Sequence, residues 1–299
     1  MRILLTGGTG LIGQALCRFW AAQGHELWVW SRDPEKVATL CSGARGVAQL
    51  QDLNGVLLDA VVNLAGLPIA DRPWYQARRE ALWASRVTLT KQVVDWLGTR
   101  AQRPAVLISG SAVGFYGDSG EAEPLEEQSV RGSDFGSQLC AAWEAEAQRA
   151  TELGIRVALL RTAPVLAPQG GFLARLLPPF RLGLGGRLGS GQQWMPWIHL
   201  ADEVGLIDFL LQHPDCSGPY NACAPHAVRN SAFTASLARA LHRPAFFPVP
   251  AFVLRTLLGE MSILLLGGQH LAPRRALAAG YSFRFPDLDA ALADVLSRH

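Results

Sequence analysis

The sequence predicts an α/β protein in which a doubly wound parallel sheet is followed by a smaller, mostly helical C-terminal lobe. Three observations lead to this fold class. Short apolar segments alternate with segments of helical periodicity, a glycine-rich turn follows the first apolar segment, and the composition changes after Arg161. Strands that alternate with helices favour a parallel sheet covered on both faces.

The predicted strands are short apolar segments bounded by turn residues. They are Ile3–Thr6, Leu27–Trp30, Ala60–Leu64, Ala105–Ser109 and Val157–Arg161. The segments between them have apolar residues at helical spacing, which predicts helices packed on the sheet. One such face consists of Leu11, Ile12, Ala15, Leu16, Phe19 and Trp20, and another of Leu82, Val87, Leu89, Val93, Val94 and Leu97.

The chain changes character after the fifth predicted strand. Residues 162–196 are dense in glycine, proline and leucine, which favours an irregular region or a hinge into a second lobe. A helix is predicted at residues 202–212, with Asp202 as its N-cap. We therefore expect a first domain over residues 1–165, to which residues 197–223 return, and a second lobe formed by residues 166–196 and 224–299.

Charge and cysteine content exclude several classes of protein. The chain has 299 residues, a formal net charge of +2 and no basic tract, so we expect no nucleic-acid partner. Its five cysteines are scattered and form no C-x-x-C motif, which indicates a reducing compartment without a disulfide framework or metal site. The chain starts with a strand rather than a secretory signal, so we expect a cytoplasmic protein.

The most apolar run of the chain lies near its end. This run, AFVLRTLLGEMSILLLGG at residues 251–268, is interrupted by Arg255 and Glu260 and falls short of a membrane span. We interpret it as a buried helix or a packing surface, and we expect no membrane partner.

The glycine-rich turn TGGTGLIG covers residues 6–13, between a predicted strand and an amphipathic helix. Gly7 permits the tight turn, Gly10 lets the backbone approach a pyrophosphate, and Gly13 lets helix and strand pack closely. The helix N-terminus then offers N–H groups and the positive end of its dipole to phosphates. This context predicts a Rossmann-type dinucleotide site.

The end of the second strand bears on which dinucleotide is bound. A carboxylate at this position suits the ribose 2′-hydroxyl of NAD, whereas an arginine suits the 2′-phosphate of NADP. Asp33 precedes Pro34 and is predicted to cap a helix instead. Arg32 then remains at the strand end, where a guanidinium can bind phosphate bidentately. We therefore favour NADP(H), with Ser31 as a secondary donor.

The chain resembles the extended short-chain dehydrogenase/reductase family, which includes sugar-nucleotide epimerases. The resemblance rests on TGGTGLIG, NLAG at 63–66 and SGSAVGFYG at 109–117, and it continues through RTAPVLAPQGG, GSGQQWMPWIH and GGQHLAPRRALAAGYSF. The C-terminal motifs are similar to an epimerase-family subgroup whose C-terminal domain has no assigned role. The resemblance implies a Rossmann domain, an NADP-type cofactor and a cytoplasmic protein whose substrate is generally unassigned. We expect a small-molecule substrate such as a sugar or nucleotide-sugar, and a homodimer.

Position by position, the resemblance also implies which residues line the cofactor. Arg86 lies in a predicted helix that passes near the cofactor, and Val165 follows the strand next to the nicotinamide. The full implied set is Gly7, Gly10, Leu11, Ile12, Gly13, Ser31, Arg32, Leu64, Ala65, Arg86 and Val165.

The stretch SDFGSQLCAAWEAE at residues 133–146 lacks the family's Tyr-x-x-x-Lys pair. If Glu144 matches the glutamate that many members carry, Gly136 takes the tyrosine position and Cys140 the lysine position. A shift by one residue places Phe135 at the tyrosine position, still without a hydroxyl. Apolar residues at a spacing of four instead predict a buried helix face, and Cys140 is predicted to be a small buried thiol.

Substitutes for the missing pair must come from other segments. The candidate catalytic residues are Ser111, Tyr116 and His199, the last with Asp202 as an orienting partner or simple helix cap. An anionic or polar substrate would be bound by Arg181, Arg229 and Asn230.

Three hypotheses remain open on the sequence. The first is an NADP(H)-dependent oxidoreductase or epimerase-like enzyme with an altered acid–base set, and the second is a non-catalytic NADP(H)-binding sensor or regulatory protein. The third is a carbohydrate-modifying enzyme that retains NADP tightly. The missing tyrosine and lysine favour the second, while the large second lobe favours the first and third. We adopt the first.

Overall fold

The computed structural model describes residues 1–120, 123–167 and 169–297. Pro168, in the predicted irregular region, and residues 298–299, at the end of the predicted second lobe, lie outside the described residues. In chain order the strands are β1 (Arg2–Thr6), β2 (Glu26–Trp30), β3 (Ala44–Val47), β4 (Ala60–Asn63), β5 (Val106–Ala112), β6 (Arg156–Thr162), β7 (Val165–Leu166), β8 (Trp194–Met195), β9 (Ile198–His199), β10 (Gly218–Ala222) and β11 (Val228–Arg229).

Within the described residues, a central sheet of seven strands has the order β10-β6-β5-β4-β1-β2-β3. All neighbouring strands in it are parallel. This confirms the predicted doubly wound parallel sheet. Two of its strands escaped prediction: β3 is only partly buried and reads ARGV, and β10 begins with Gly-Pro, which normally indicates a turn.

The helices complete the two faces of the sheet and the C-terminal part. They are α1 (Leu11–Ala22), α2 (Glu35–Leu40), α3 (Gln76–Trp83), α4 (Leu89–Thr99), α5 (Phe135–Gln148), α6 (Gly171–Arg181), α7 (Leu200–Gln212), α8 (Asn230–Leu241), α9 (Ala251–Leu258), α10 (Ile263–Leu266), α11 (Arg274–Ala278) and α12 (Leu288–Ser297). Helices α3 and α4 are joined by a π-helical turn at Ala84–Thr88. In the described part of the chain, no helix is long and apolar enough to cross a bilayer.

Besides a small cluster between α3 and α5, three buried clusters among the described residues hold these elements together. One lies between the sheet and helices α1 and α7, and a second lies on the opposite face against α4. A third is built from residues of α6, α8 and α12, including Leu177, Phe233 and Leu292. The division into two lobes stays a prediction, and strand β10 and helix α7 pack on the sheet and on α1.

Three local predictions need correction. Residues 171–181, predicted to be irregular, form α6, which accommodates Pro178 and Pro179. Helix α7 begins at Leu200, and its N-cap is His199 rather than Asp202. Asp202 is buried and accepts hydrogen bonds from the backbone N–H groups of Arg284 and Phe285 at 2.7 and 2.9 Å. Its carboxylate therefore holds the C-terminal segment instead of starting the helix.

The apolar run at residues 251–268 forms short helices rather than one long one. Leu254 and Met261 are buried, but Phe252 and Leu257 are exposed. The run is therefore a surface element, in line with the packing-surface interpretation and not with a fully buried helix.

Candidate functional site

The glycine-rich turn connects β1 to α1 at the carboxyl edge of the sheet. Gly7 has φ +70°, and a Cβ there would lie 2.7 Å from the Leu64 carbonyl. A Cβ on Gly13 would lie 2.3 Å from the Gly7 oxygen. Helix α1 starts after Gly10 without a side-chain cap, so its first N–H groups point to the space above the turn. The turn is a cradle that only glycine can form, shaped for a phosphate group.

A buried hydrogen-bond chain fixes the neighbouring segment at Leu64 and Ala65. The Thr6 hydroxyl donates to Asn63 Oδ1 at 2.7 Å and accepts from the Ala65 N–H at 3.1 Å. Asn63 Nδ2 in turn donates to Thr90 Oγ1 at 2.8 Å. These bonds hold the end of β4 beside the glycine turn, so the backbone of Leu64 and Ala65 lines the same edge.

At the end of β2, the N-cap of α2 is Pro34 rather than the predicted Asp33, although Asp33 still bonds to the first turn of the helix. Asp33 accepts from the Lys36 backbone N–H at 3.4 Å and pairs with Lys36 Nζ at 2.7 Å, and α2 starts directly after Pro34. The Lys36 hydrogen bond lowers the pKa of the Asp33 carboxyl. Ser31 bonds the backbone of Asp33. Arg32 is exposed and, among the described residues, forms no ion pair. The arginine is therefore the uncommitted side chain here.

Arg86 lies in the π-helical turn between α3 and α4, an irregularity that often marks functional sites. Its guanidinium donates to the Leu67 carbonyl at 2.8 Å and lies 5.4 Å from the centre of the Trp143 ring. A Cβ on Gly66 would lie 3.0 Å from its Cζ. Burial lowers the pKa of Arg86 to about 10. Among the described residues no carboxylate pairs with this cation, which suits an anionic ligand.

Leu11, Ile12 and Val165 connect the glycine turn to the start of α6. Leu11 Cδ2 and the Val165 carbonyl would each lie 3.2 Å from a Cβ on Gly171. Ile12 is partly buried against the core cluster below the turn. The structure thus brings three parts of the implied cofactor set together at the carboxyl edge of the sheet. They are the glycine turn, the end of β4 and Val165.

The region of the missing pair is filled by apolar packing. Leu139, Trp143 and Ala147 of α5 are buried, which confirms the predicted helix face. Trp74 and Phe135 form an edge-on ring pair beside Gly136, with ring centres 5.2 Å apart. Cys140 is buried, and burial raises the pKa of its thiol to about 12. Neither Gly136 nor Cys140 offers proton-transfer chemistry at neutral pH.

Ser111, near the end of β5, is part of a buried polar network. Its hydroxyl donates to Glu144 Oε1 at 2.7 Å. Arg161 of β6 donates to both oxygens of Glu144, from Nε at 2.8 Å and from Nη2 at 2.9 Å. The Ser111 proton is therefore directed at the carboxylate, and the Ser111 side chain is buried.

Tyr116 belongs to the same network. Its hydroxyl donates to Asn221 Oδ1 at 2.7 Å and accepts from Arg161 Nη1 at 2.8 Å. Burial raises the pKa of Tyr116 to about 12. A raised pKa makes the phenol a weaker acid, the opposite of what proton transfer at neutral pH requires.

His199 lies apart from this network, at the start of α7. Its Nδ1 accepts from the Ala201 N–H at 3.0 Å, which places the ring proton on Nε2. Nε2 lies 3.2 Å from Asp294 Oδ2 of α12, and Phe285 packs on the ring with a centroid distance of 3.9 Å. The imidazole therefore joins α7 to the C-terminal helix.

The residues predicted for the substrate have three different surroundings. Asn230 is buried, and its Oδ1 accepts from the Leu188 N–H at 2.8 Å. Arg229 packs on the Trp194 ring at 4.2 Å and donates to the Gln192 carbonyl. Arg181 is exposed at the end of α6.

Sequence reasoning missed the central role of Arg161 and the contribution of Asn221. An arginine at the end of an apolar strand is a usable signal, because a buried guanidinium needs a carboxylate partner. Asn221 lies in β10, which was not predicted as a strand because it begins with Gly-Pro. Its connection to Tyr116 spans 105 positions of the chain and left no local pattern.

Comparisons with known proteins agree with this geometry. A family model described as the NAD dependent epimerase/dehydratase family matches residues 3–223. A second model, described as a domain of unknown function (DUF1731), matches residues 249–295. The first match contains the glycine turn, the buried network and β10, and the second contains most of the C-terminal helices.

Relatives match along their whole length. Epimerase family protein SDR39U1 of Mus musculus is 38% identical over 300 residues, which cover 99% of this chain and 100% of the relative. Epimerase family protein YfhF of Bacillus subtilis is 35% identical over 302 residues, with 99% and 98% covered. The crystal structure of human SDR39U1 with NADPH has a TM-score of 0.91 at 36% identity and covers 100% of both chains. A Bacillus cereus UDP-glucuronic acid 4-epimerase, 16% identical with a TM-score of 0.79, shares the fold over 100% of this chain and 99% of its own.

Proposed function

Because the chain belongs to the NAD dependent epimerase/dehydratase family, we propose that it binds NADP(H) and acts as an oxidoreductase or epimerase-like enzyme. The observation that carries this proposal is the glycine cradle at residues 7–13 beside the end of β4. Its substrate is a small molecule, for which a sugar or nucleotide-sugar is the class that the family favours.

The cradle and its surroundings fit a dinucleotide. The pyrophosphate would lie against the N–H groups of Leu11 and Ile12, where backbone donors and the helix dipole favour negative charge, while the Gly10 N–H donates to the Gly7 carbonyl at 3.0 Å. Leu64 and Ala65 would contact the cofactor from the end of β4, and Val165 would lie toward the nicotinamide. Arg86 would supply a positive charge that no carboxylate among the described residues neutralises.

Arg32 supports NADP(H) over NAD(H). Asp33 is held by Lys36, so it does not offer a carboxylate to a ribose hydroxyl in this conformation. Arg32 is exposed next to it and would bind the 2′-phosphate, with Ser31 as a second donor. The NADPH in the human relative agrees with this choice.

Catalysis would depend on a set different from tyrosine and lysine. A bound nicotinamide supplies hydride transfer, and the protein must position a substrate oxygen. We assign that role to Ser111, whose proton is held by Glu144 and whose oxygen would accept a bond from the substrate. Tyr116 and His199 remain alternatives, although each bonds two partners. Arg181, Arg229 and Asn230 are retained as proposed substrate contacts.

A second function is supported by one specific observation. The hydroxyls of Ser111 and Tyr116 have buried partners, and both nitrogens of His199 have partly buried ones. A non-catalytic NADP(H)-binding sensor would not require any of these groups to be available for proton transfer. The cytoplasm stays the proposed location, which the buried, unpaired cysteines support. The homodimer and the division into two lobes also stay proposals.

The proposal is tested by calorimetric titration with NADPH and NADH, followed by a transfer assay. The affinity for NADPH should be well above the affinity for NADH, and equal affinities would contradict the NADP(H) assignment. The loaded protein is then incubated with 4-deuterated NADPH and a panel of nucleotide-sugars and small carbonyl compounds. Deuterium in a product supports the enzyme, whereas tight binding with no transfer to any compound supports the sensor.

A further inference from the structure

The C-terminal part carries a surface of large apolar side chains that point into solvent. We call it the apolar surface, and its members are between 56% and 81% exposed. Exposed side chains of this size are normal when isolated, but a group of them marks an interaction site. They are Leu182, Leu184, Phe246, Phe247, Phe252 and Leu257.

The segments that carry these side chains are neighbours in space. The Phe247 N–H donates to the Gly185 carbonyl at 3.2 Å, and the Val249 N–H donates to the Arg187 carbonyl at 2.9 Å. Residues 183–189 therefore run beside residues 244–249, and α9, with Phe252 and Leu257, follows directly after Pro250. The apolar surface is thus assembled from pieces that are distant in sequence.

The same segments are one-sided in charge. Residues 171–191 and 225–259 contain seven arginines and no lysine, aspartate or glutamate, although the whole chain has a net charge of only +2. Among the described residues, Arg181, Arg187, Arg243 and Arg255 are exposed and form no ion pair. Phe246 separates two hollows of about 300 and 520 Å³, lined in part by Arg187 on one side and by Arg243 on the other. Exposed cations therefore lie on two sides of the exposed Phe246 ring.

This charge distribution argues against a second copy of the chain as the occupant. In a two-fold dimer each surface meets itself, so the arginines of one copy would face those of the other. It favours an occupant that is anionic and accepts protruding side chains. A lipid surface accepts such side chains without matching pockets, and anionic lipids attract the arginines beside them.

We propose that the apolar surface binds the headgroup region of an anionic lipid bilayer. Leu182, Phe246, Phe252 and their neighbours would insert among the acyl chains, while the arginines contact lipid phosphates. This contact requires no spanning helix, and it differs from the expectation, made from the sequence, that the chain has no membrane partner. It is independent of the cofactor site, so it goes beyond the proposed function.

The test is sedimentation of the full chain with vesicles. Vesicles of phosphatidylcholine with about one third phosphatidylglycerol are compared with pure phosphatidylcholine, at low and at raised salt. We expect binding to the anionic vesicles alone, weakened by salt. Absence of binding to the anionic vesicles overturns the proposal, and so does equal binding to both.

Variants locate the contact. Phe246→Ser combined with Phe252→Ser should abolish binding. Arg187→Gln combined with Arg243→Gln should weaken it about twenty-fivefold, since each basic residue near an anionic surface contributes about fivefold. Arg18→Glu and Phe19→Ser, exposed on α1, are matched controls that should bind as the wild type does. Unchanged NADPH affinity confirms that each variant is folded. The assignment is overturned if both double variants bind vesicles as the wild type does. It is also overturned if the substitutions change the oligomeric state of the protein instead of its vesicle binding.

Discussion

Arg161 and Glu144 form a two-point ion pair inside the protein, with both contacts between 2.8 and 2.9 Å and both side chains buried. The pair joins β6 to α5, and through it the hydroxyls of Ser111 and Tyr116 are held in place. The structure therefore has a buried polar network between the ends of β5 and β6 and helix α5.

Removing one partner of this pair should be costly. Glu144→Gln leaves the Arg161 guanidinium buried without a carboxylate, and the free energy of unfolding should fall by about 3–5 kcal/mol. Chemical denaturation monitored by fluorescence measures it. Glu146→Gln, on the same helix with an exposed ion pair, is the control and should cost less than about 1 kcal/mol. If Glu144→Gln lowered the unfolding free energy by as little as the control does, the Arg161–Glu144 pair would contribute little to stability.

Arg32 should determine the preference between the two dinucleotides. Arg32→Glu places a negative charge where the 2′-phosphate is proposed to lie, so NADPH affinity should fall by at least about tenfold, the equivalent of one lost charge-assisted hydrogen bond. NADH affinity should remain or rise. Calorimetric titration of both cofactors measures this. A variant that still prefers NADPH would move the 2′-phosphate away from Arg32.

Arg86 should act differently from Arg32. Its guanidinium lies at the sheet edge, away from the end of β2, so Arg86→Ala should weaken NADPH and NADH by similar factors, roughly tenfold each. Arg79→Ala, in the same helical segment with an exposed partner in Glu260, should leave both affinities unchanged. Selective loss of NADPH alone in Arg86→Ala would instead place the residue at the 2′-phosphate.

Glu203 should make stability depend on pH. It is fully buried in α7, its Oε1 accepts from Thr162 at 2.8 Å, and its Oε2 has no partner among the described residues. Burial raises the pKa of Glu203 from 4.5 to about 8. The folded state therefore holds this proton more tightly than the unfolded state, and stability is lost as pH rises from 4.5 toward 8.

Glu203→Gln removes that proton linkage. The unfolding free energy of the variant should fall less steeply with pH, by up to about 1.4 kcal/mol per pH unit. Denaturation at pH values below, within and above the window measures the slope. Glu35→Gln, an exposed control at the start of α2, should retain the wild-type slope. An unchanged slope in Glu203→Gln would mean that the carboxyl does not titrate there.

If deuterium transfer is detected, Ser111→Ala should reduce its rate by about 10²-fold, a typical loss for a residue that aids proton movement. NADPH affinity should stay the same, because the hydroxyl points to Glu144. Tyr116→Phe and His199→Ala are measured beside it. Full activity in all three variants would remove every proposed catalytic residue and direct the search to other groups of the cleft.

Local patterns predicted much of the fold. Alternating strands and helices identified five of the sheet strands, and the glycines of TGGTGLIG have the close contacts that their spacing indicates. Contacts between distant segments were not predictable in this way. His199 caps α7 where Asp202 was expected, because Asp202 is needed by the backbone of residues 284–285, more than 80 positions later. The hydropathy pattern did not reveal the apolar surface for the same reason, because the segments that form it are separated in sequence.

Strand β10 adds a constraint on the order of synthesis. It forms the edge of the central sheet next to β6, yet it leaves the ribosome after residues 163–217 have been made. Until then the outer edge of β6 has unpaired N–H and C=O groups, and Trp20 lacks the hydrogen bond to Asp208 that ties α1 to α7. The nucleotide-binding half thus cannot complete its sheet during translation before the first part of the C-terminal region has emerged. A gene fragment that stops after Val165 would encode a sheet with an open edge, prone to pairing with other chains.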